Sequence, residues 1–249
     1  MTSVAESYDE QWSRLYDFIR FNPGARHRRR LIQEAVRRTG LLNPSVVDVG
    51  CGPGFTVQAI SEVLPRAQIT GLDFSDVAID GARSRFPQHS WVVGDLMKPL
   101  NQRPADVVIC TEVIEHLTEW ESGLENVLDL VGNHGFLILT TQSGKVHATE
   151  RFVGHERHFR IEELLEVLKQ HSFTIVISQN WGWPGYVFLK HIANVRSDMT
   201  IDAFGSGSYG FLARLLNRLA YFFSSVFSLR NHKRGSQIVI LAKRRHDST

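Results

Sequence analysis

The sequence predicts an α/β fold, a doubly wound Rossmann-like sheet, and three observations carry that reading. Short apolar runs recur near residues 45, 68, 91, 106, 135, 173 and 237. The segments between them place apolar residues at helical spacing, so strands alternate with crossover helices. The first run, Ser45-Val46-Val47-Asp48-Val49, passes directly into Gly50-Cys51-Gly52-Pro53-Gly54, a glycine turn of the kind that closes a buried strand and opens a helix. Right-handed crossovers follow from the alternation. The residues alone do not order the strands.

Ahead of the sheet, Val4, Tyr8, Trp12, Leu15, Tyr16 and Ile19 repeat at helical spacing, which predicts an amphipathic helix over 4–20 that caps the site. Asn22-Pro23 reads as a helix cap followed by a first-turn proline, Leu31, Ile32, Ala35 and Val36 mark the buried face, and Gly40 ends the helix. Residues 1–40 thus form an N-terminal helical cap. Arg26-His27-Arg28-Arg29-Arg30 occupies the opening turns of that second helix, where positive charge opposes the helix dipole. Arg28 falls on the face of Leu31, Ile32 and Ala35 and points inward; the other arginines are expected to face solvent.

Residues 44–182 form the cofactor-binding core. Glycines at the loop let a ligand lie against the main chain, and the following helix offers unpaired N–H groups. A dinucleotide turn reads G-x-G-x-x-G and serves a pyrophosphate. Here the spacing is G-x-G-x-G with Pro53 stiffening the turn, which favours S-adenosyl-L-methionine over NAD. Asp73 ends the run Ile69-Thr70-Gly71-Leu72, about 20 residues after the loop, the distance at which a second-strand carboxylate bonds ribose hydroxyls. Asp95 follows Trp91-Val92-Val93-Gly94 and can accept from an adenine amino group. Ala105 to Cys110 is a fourth apolar run that ends beside the loop in a parallel sheet.

Through VVDVGCGPG, ITGLDFSD, VVGDL, DVVICTEVIEHL and HGFLILTTQSG, the chain resembles the class I S-adenosylmethionine-dependent methyltransferases over roughly residues 44 to 180. EVIEHL is most similar to the ubiquinone-biosynthesis O-methyltransferases and the small-RNA 3'-terminal ribose methyltransferases. The resemblance implies a seven-stranded methyltransferase sheet whose last strand, at 235–245, lies antiparallel between the fifth and sixth. It also implies a cofactor shell drawn from Asp48, Gly50, Cys51, Gly52, Gly54, Asp73, Phe74, Asp95, Leu96 and Cys110. Arg28 matches an arginine that binds the cofactor's carboxylate in the ubiquinone-pathway enzymes; a surface charge run is the competing reading.

Methyl transfer to oxygen needs an acceptor held in place and deprotonated as it attacks. Glu112, Glu115 and His116 share one face if the backbone there is helical, and His155 and His158 lie on the loop after the fifth strand. Either histidine could act as the base. Alternatively, Glu112, Glu115, His116 and His155 form a mixed O/N shell for a divalent metal that polarises the acceptor. The small-RNA methyltransferases carry Glu-x-x-Glu-His and a later His as metal ligands, which those four residues match; Arg160 stands where Ser or Thr is usual as a helix cap. A purely structural role for Glu115, His116 and His158 is the third reading.

Residues 183–234 form an insertion or lid with Trp183, Tyr186 and Phe188, and this composition suggests an apolar or aromatic small-molecule acceptor. Within 209–229, Leu212, Leu215, Leu216, Leu219, Phe222, Phe223, Val226 and Phe227 make a broad apolar stripe interrupted by Arg214 and Arg218, too charged for a membrane span. It reads as a helix packed on the core or a dimer partner, or else as an acceptor lid or peripheral membrane helix. The whole, 249 residues with 43% hydrophobic and 22% charged content, suits one methyltransferase domain over 1–249. A formal net charge of +2 does not suggest a nucleic-acid partner. Cys51 and Cys110 have neither disulfide nor zinc spacing, and Glu6, Asp9, Glu10 and Arg14 interrupt any leader, so a cytoplasmic location is expected. Oligomeric state stays open. The leading reading is an O-methyltransferase; the alternatives are a metal-dependent RNA 3'-terminal ribose methyltransferase and a catalytically silent cofactor-binding module.

Overall fold

Strand residues two apart share a face of a sheet, and here both faces are apolar and both are covered. The computed structural model describes residues 12, 15–98, 100–204 and 208–245. Its strands are β1 (Ser45–Val49), β2 (Gln68–Asp73), β3 (Ser90–Val93), β4 (Ala105–Thr111), β5 (Val131–Gln142), β6 (Phe173–Trp181) and β7 (Gln237–Arg244). They form one seven-stranded sheet in the order β3-β2-β1-β4-β5-β7-β6. Strands β1 to β5 pair in parallel, while β7 lies antiparallel between β5 and β6.

The helices are α1 (15–21), α2 (Pro23–Arg38), α3 (Phe55–Val63), α4 (Asp76–Arg85), α5 (Trp120–Asp129), α6 (Ala148–Phe152), α7 (Ile161–Gln170), α8 (Gly185–Val195), α9 (Ser197–Phe204) and α10 (Phe211–Phe227). On one side of the sheet Val47, Val49, Val108, Leu137 and Leu139 pack with Leu124, Val127 and Leu128 of α5 and Leu164 and Leu168 of α7. On the other, Val46, Ile69, Val107, Ile109 and Ile138 meet Ile32 and Val36 of α2, Val57 and Ile60 of α3 and Ile79 of α4. This is the doubly wound arrangement that alternating strands and helices impose.

Helix α2 begins as its sequence suggests. The Asn22 side chain accepts from the Ala25 N–H at 3.1 Å, with Pro23 in the first position. Of the expected first helix, Val4 and Tyr8 lie outside the described residues. Its later part, α1, supplies Leu15, Phe18 and Ile19 to the cavity described below.

Two expectations for the arginine run need correction. Arg29 does not face solvent: its guanidinium donates to the Ile19 and Arg20 carbonyls at 3.1 and 2.8 Å and ties α2 to α1. Arg26 lies over the Tyr221 ring, 4.0 Å from its centroid. His27 of the same run is buried and stacks on Trp181, centroids 3.9 Å apart and 7° from parallel.

Helix α10 also departs from the reading in which its apolar stripe packs on the core. Ser224 is buried, whereas Phe211, Leu212, Leu216, Leu219, Phe222, Val226 and Phe227 are exposed. Among the described residues no helix is long and apolar enough to cross a membrane.

Candidate functional site

The site lies where the strand order reverses between β1 and β4, outside the carboxyl ends of the strands, the place where open α/β sheets collect ligands. Register makes those ends level, since Val49 pairs with Leu72 on one side and Cys110 on the other. Past Val49 the chain turns at once. Gly50 and Gly52 have φ of +68° and +50°, the left-handed region that costs a side-chain-bearing residue about 1 kcal/mol or more. A Cβ on Gly50 would run into Val113, and one on Gly52 would meet Trp12 at 2.8 Å. The N–H groups of Gly50 and Cys51 donate to the Leu72 carbonyl at 2.8 and 3.0 Å, so the loop is strapped to the tip of β2.

A cavity of about 360 Å³ opens over this loop, lined by Gly50, Cys51, Gly52 and Pro53, by Asp73 and Phe74, by Asp95 and Leu96, and by Arg28 and Arg29. The Asp73 carboxylate accepts from the Gly52 N–H at 2.8 Å and from the Ser75 N–H at 3.0 Å, which fixes it at the cavity wall. Asp95 accepts from the Met97 N–H, the main reason its carboxyl titrates below the usual range, and pairs with Lys98. Beneath the loop, Asp48 is buried with no partner on either oxygen among the described residues, and burial together with nearby Asp73 holds its carboxyl well above the ordinary value.

Three expected contacts fall behind the lining. Cys110 is fully buried in the core, and its neighbour Thr111 reaches the cavity instead. Asp48 and Gly54 also stand back from it; a Cβ on Gly54 would strike Trp91 at 2.7 Å, so that glycine serves helix packing.

At the far end of the same cavity stand Glu112, His116 and His155. Glu112 takes φ +53°, off the helical path, so Glu112, Glu115 and His116 do not share a helical face as their spacing suggested. Only Ile114–His116 make a short 3-10 turn. The Glu112 carboxylate pairs with Arg28 at 3.1 Å and accepts from Gln142 at 3.1 Å. Arg28 also donates to Gln237 at 3.2 Å.

Glu115 turns the other way, fully buried, one oxygen accepting from Thr141 at 2.8 Å and the other without a partner among the described residues. Burial and the neighbouring Glu112 push its carboxyl well up. Its main-chain carbonyl accepts from the Glu156 and Arg157 N–H groups at 2.8 and 3.3 Å, which draws the later loop, and His155 with it, onto the β4 turn. One ligand atom each from Glu115, His116 and His155 then lie within 4.8 Å of one another.

The imidazoles are held neutral. Burial pulls His116 down to about 4, and burial together with the cationic forms of its neighbours pulls His155 down to about 2. His155 Nδ1 pairs with His158 Nε2 at 3.0 Å. His158 has a fully buried side chain and stands behind His155, away from the lining.

Tyr186, of the aromatic stretch in the insertion, reaches the wall. Three of its neighbours there gave no sequence signal: Lys190 and Asn194 of α8 and Glu150 of α6 share the wall, and Lys190 forms an ion pair with Glu150. These short segments carry no motif spacing, and only tertiary packing brings them together. A second cavity of about 880 Å³ meets the first at Lys190 and is lined by Lys145, Arg160, Lys233 and Arg234.

Residues 47–137 match the family model described as a methyltransferase domain. The chain is 27% identical over 127 residues to a trans-aconitate 2-methyltransferase of Methylobacterium radiotolerans, covering 51% of this chain and 49% of that protein. It is 28% identical over 124 residues to a ubiquinone biosynthesis O-methyltransferase of Shewanella halifaxensis, covering 47% and 52%. The chain thus spans about half the length of these curated relatives. Among solved structures, the N-methyltransferase NodS from Bradyrhizobium japonicum WM9, in complex with S-adenosyl-L-homocysteine, superposes with a TM-score of 0.57 at 16% identity over 90% of this chain and 89% of that one; this likeness is one of fold. The sheet order is that of a Rossmann-like fold shared with that solved structure, and residues 47–137, which carry the glycine loop, hold the sequence match to the methyltransferase domain.

Proposed function

We propose that the protein methylates an oxygen of a small hydroxyl- or carboxyl-bearing acceptor, using S-adenosylmethionine. The observation that carries this reading is that the glycine cradle and a cluster of neutral imidazoles and carboxylates, His116, His155 and Glu112, line one cavity. The cradle fits the cofactor, because bare main chain at Gly50 and Gly52 lines the cavity where only glycine tolerates the approach of Val113 and Trp12. Gly52, Asp73 and Asp95 would hold its nucleoside part and Arg28 its carboxylate. When bound, the cofactor supplies a methyl group already activated by its positive sulfur.

The chain then has two tasks, to position the acceptor and to take its proton. His116 lines the cavity as a neutral imidazole over the physiological range, with a hydrogen bond to the Gly154 backbone steadying the ring. His155, oriented by His158, presents the second neutral imidazole. Leu117 and Val153 offer apolar surface to an acceptor ring, while Gln142 and Thr149 offer hydrogen bonds beside them. Assays with labelled cofactor against simple phenols, catechols and carboxylic acids test the reading. His116→Ala or His155→Ala should lower kcat by about a hundredfold, the usual effect of a lost general base. Turnover that survives in both variants would exclude a histidine base.

One observation favours a second, metal-assisted reading, on which an RNA 3'-terminal ribose could be the acceptor. A carboxylate oxygen of buried Glu115 lies within 4.8 Å of ring nitrogens of His116 and His155, a mixed O/N donor set suited to a divalent ion. A bound ion would polarise an acceptor hydroxyl. Glu112, the fourth residue of the expected tetrad, is engaged with Arg28 and Gln142 instead, so Glu115, His116 and His155 would supply the ligands on this reading. Activity lost on exhaustive chelation and restored by added Mn²⁺ or Mg²⁺ would establish this version, and unchanged activity would exclude it. Gel shifts with short RNAs would separate the two acceptors.

A further inference from the structure

Most helices on a water-soluble surface turn their apolar residues inward. Helix α10 does the reverse. Its inward-facing positions are Ala213, Asn217, Ala220, Tyr221 and buried Ser224, with the Asn217 amide and Ser224 hydroxyl each satisfied by a carbonyl of their own helix, at 2.9 and 3.0 Å. Its exposed positions, Phe211, Leu212, Leu215, Leu216, Leu219, Phe222 and Val226, sweep about half the circumference at 100° per residue. Phe211 is 84% exposed and Phe222 68%.

The patch continues onto α8. Phe188, Ile192 and Val195 stand four and three residues apart, on one face, all more than half exposed, and Phe188 approaches Phe223 of α10 with ring centroids 6.4 Å apart. A contiguous apolar patch of this extent on an isolated chain marks a surface that something covers.

The charges say what kind of surface covers it. From residue 203 to residue 234 the chain holds five cationic side chains, Arg214, Arg218, Arg230, Lys233 and Arg234, and no acidic one; Arg214 pairs with Asp17 at 3.6 Å and Arg230 with Glu34 at 2.9 Å, which leaves Arg218, Lys233 and Arg234 without a carboxylate partner among the described residues. Arg214 and Arg218 flank the apolar arc on one side, where long basic side chains can lay their stems along apolar surface and keep their charge at its edge. A second copy of this chain is the poorer occupant, since pairing α10 with itself sets arginines against arginines with no carboxylate on that helix to receive them. An acceptor lid is poorer still, because none of the described residues of α10 lines either cavity.

We propose that α10 and the outer face of α8 dock this protein on an anionic lipid surface, with the apolar arc in the interfacial layer and the arginines at the phosphate level. The opposite face of α8 carries Tyr186, Lys190 and Asn194 into the cavity, so docking would bring the wall of the site close to the lipid. The proposal does not depend on methyl transfer, and its test reads binding alone.

The full chain is sedimented with vesicles of phosphatidylcholine containing about three parts in ten phosphatidylglycerol, and with phosphatidylcholine alone. Binding is expected to be at least about tenfold stronger on the anionic vesicles and to weaken with added salt. The variant Leu216→Ser/Leu219→Ser/Phe222→Ser should lose about tenfold or more of that binding, with its unfolding temperature unchanged because these side chains face outward. Arg218→Gln, at a residue without a partner among the described residues, should narrow the difference between the two vesicle types. Absence of vesicle binding by the native chain, or equal binding by the triple variant, would overturn the proposal. So would a native dimer by light scattering that the triple variant splits while neither protein sediments with vesicles, an outcome that assigns the patch to a second copy.

Discussion

At position 48 a carboxyl group lies under the glycine loop without a partner on either oxygen among the described residues, and an unpaired buried carboxylate is costly unless protonated. Burial and the Asp73 charge raise its folded pKa well above the ordinary value. The folded state therefore binds a proton that the unfolded state has released, and stability falls as pH rises from the unfolded value, about 3.9, toward the folded one. Asp48→Asn keeps the shape and removes the titration. Its unfolding temperature at pH 8 should exceed that of the native chain by roughly 2–6 °C, with the difference vanishing near pH 4, in scanning fluorimetry at both values. A variant that melts lower at pH 8 would show that the carboxylate is paired in solution. A second residue, Arg28, bonds Glu112 and Gln237 while lining the cofactor cavity. Arg28→Ala should weaken S-adenosylhomocysteine binding about tenfold by calorimetry, with Arg28→Lys intermediate because an ammonium lacks the planar fork; unchanged affinity would remove Arg28 from the cofactor site.

Helix α2 shows how much of this architecture is legible before any coordinates. Its cap, its first-turn proline and its apolar face at Leu31, Ile32, Ala35 and Val36 are local features, and the seven strands are short apolar runs whose two-sided burial needs no long-range information. The direction in which α10 faces is not local: helical spacing identifies a stripe but is silent on whether protein or solvent lies against it. The β4 turn misleads for a different reason, since Glu112 leaves the helical region at φ +53° and breaks the periodicity that placed it beside Glu115. His155 and His158 are three residues apart, yet only packing sets one in front of the other. What docks α2 is equally hidden, namely His27 stacked on Trp181 with both ring nitrogens unpartnered among the described residues. Burial, aided by Arg30 and Arg230, lowers His27 to about 4. Here the unfolded state binds the extra proton, so this contact loses stability as pH falls from about 6.5 toward about 4. His27→Phe should preserve the stack and lower the acid-side slope of stability by up to one proton, measured as the difference in denaturant midpoint between pH 7 and pH 4.5. An unchanged slope would place the imidazole in contact with water.

The cavity is assembled from segments far apart in the chain, namely α1 and α2, the β1 loop, the tips of β2 and β4, the loop that carries His155, and α8. A ligand that touches all of them is bound only by the folded molecule and stabilises the whole of it. At a concentration about a hundred times its dissociation constant, S-adenosylhomocysteine should add about 2.7 kcal/mol, which for a chain of this length raises the unfolding temperature by roughly 5–10 °C. NAD at the same concentration should give no shift, because its pyrophosphate needs the longer glycine spacing that this loop lacks. Gly52→Ala, strained at φ +50° and crowded by Trp12, should fold yet lose most of the shift, while the triple variant on α10 should keep it in full. The four measurements separate the loop from the outer surface in one fluorimetric plate. A shift with NAD and none with S-adenosylhomocysteine would overturn the assignment of the glycine loop, and with it the reading of every residue placed around the cofactor.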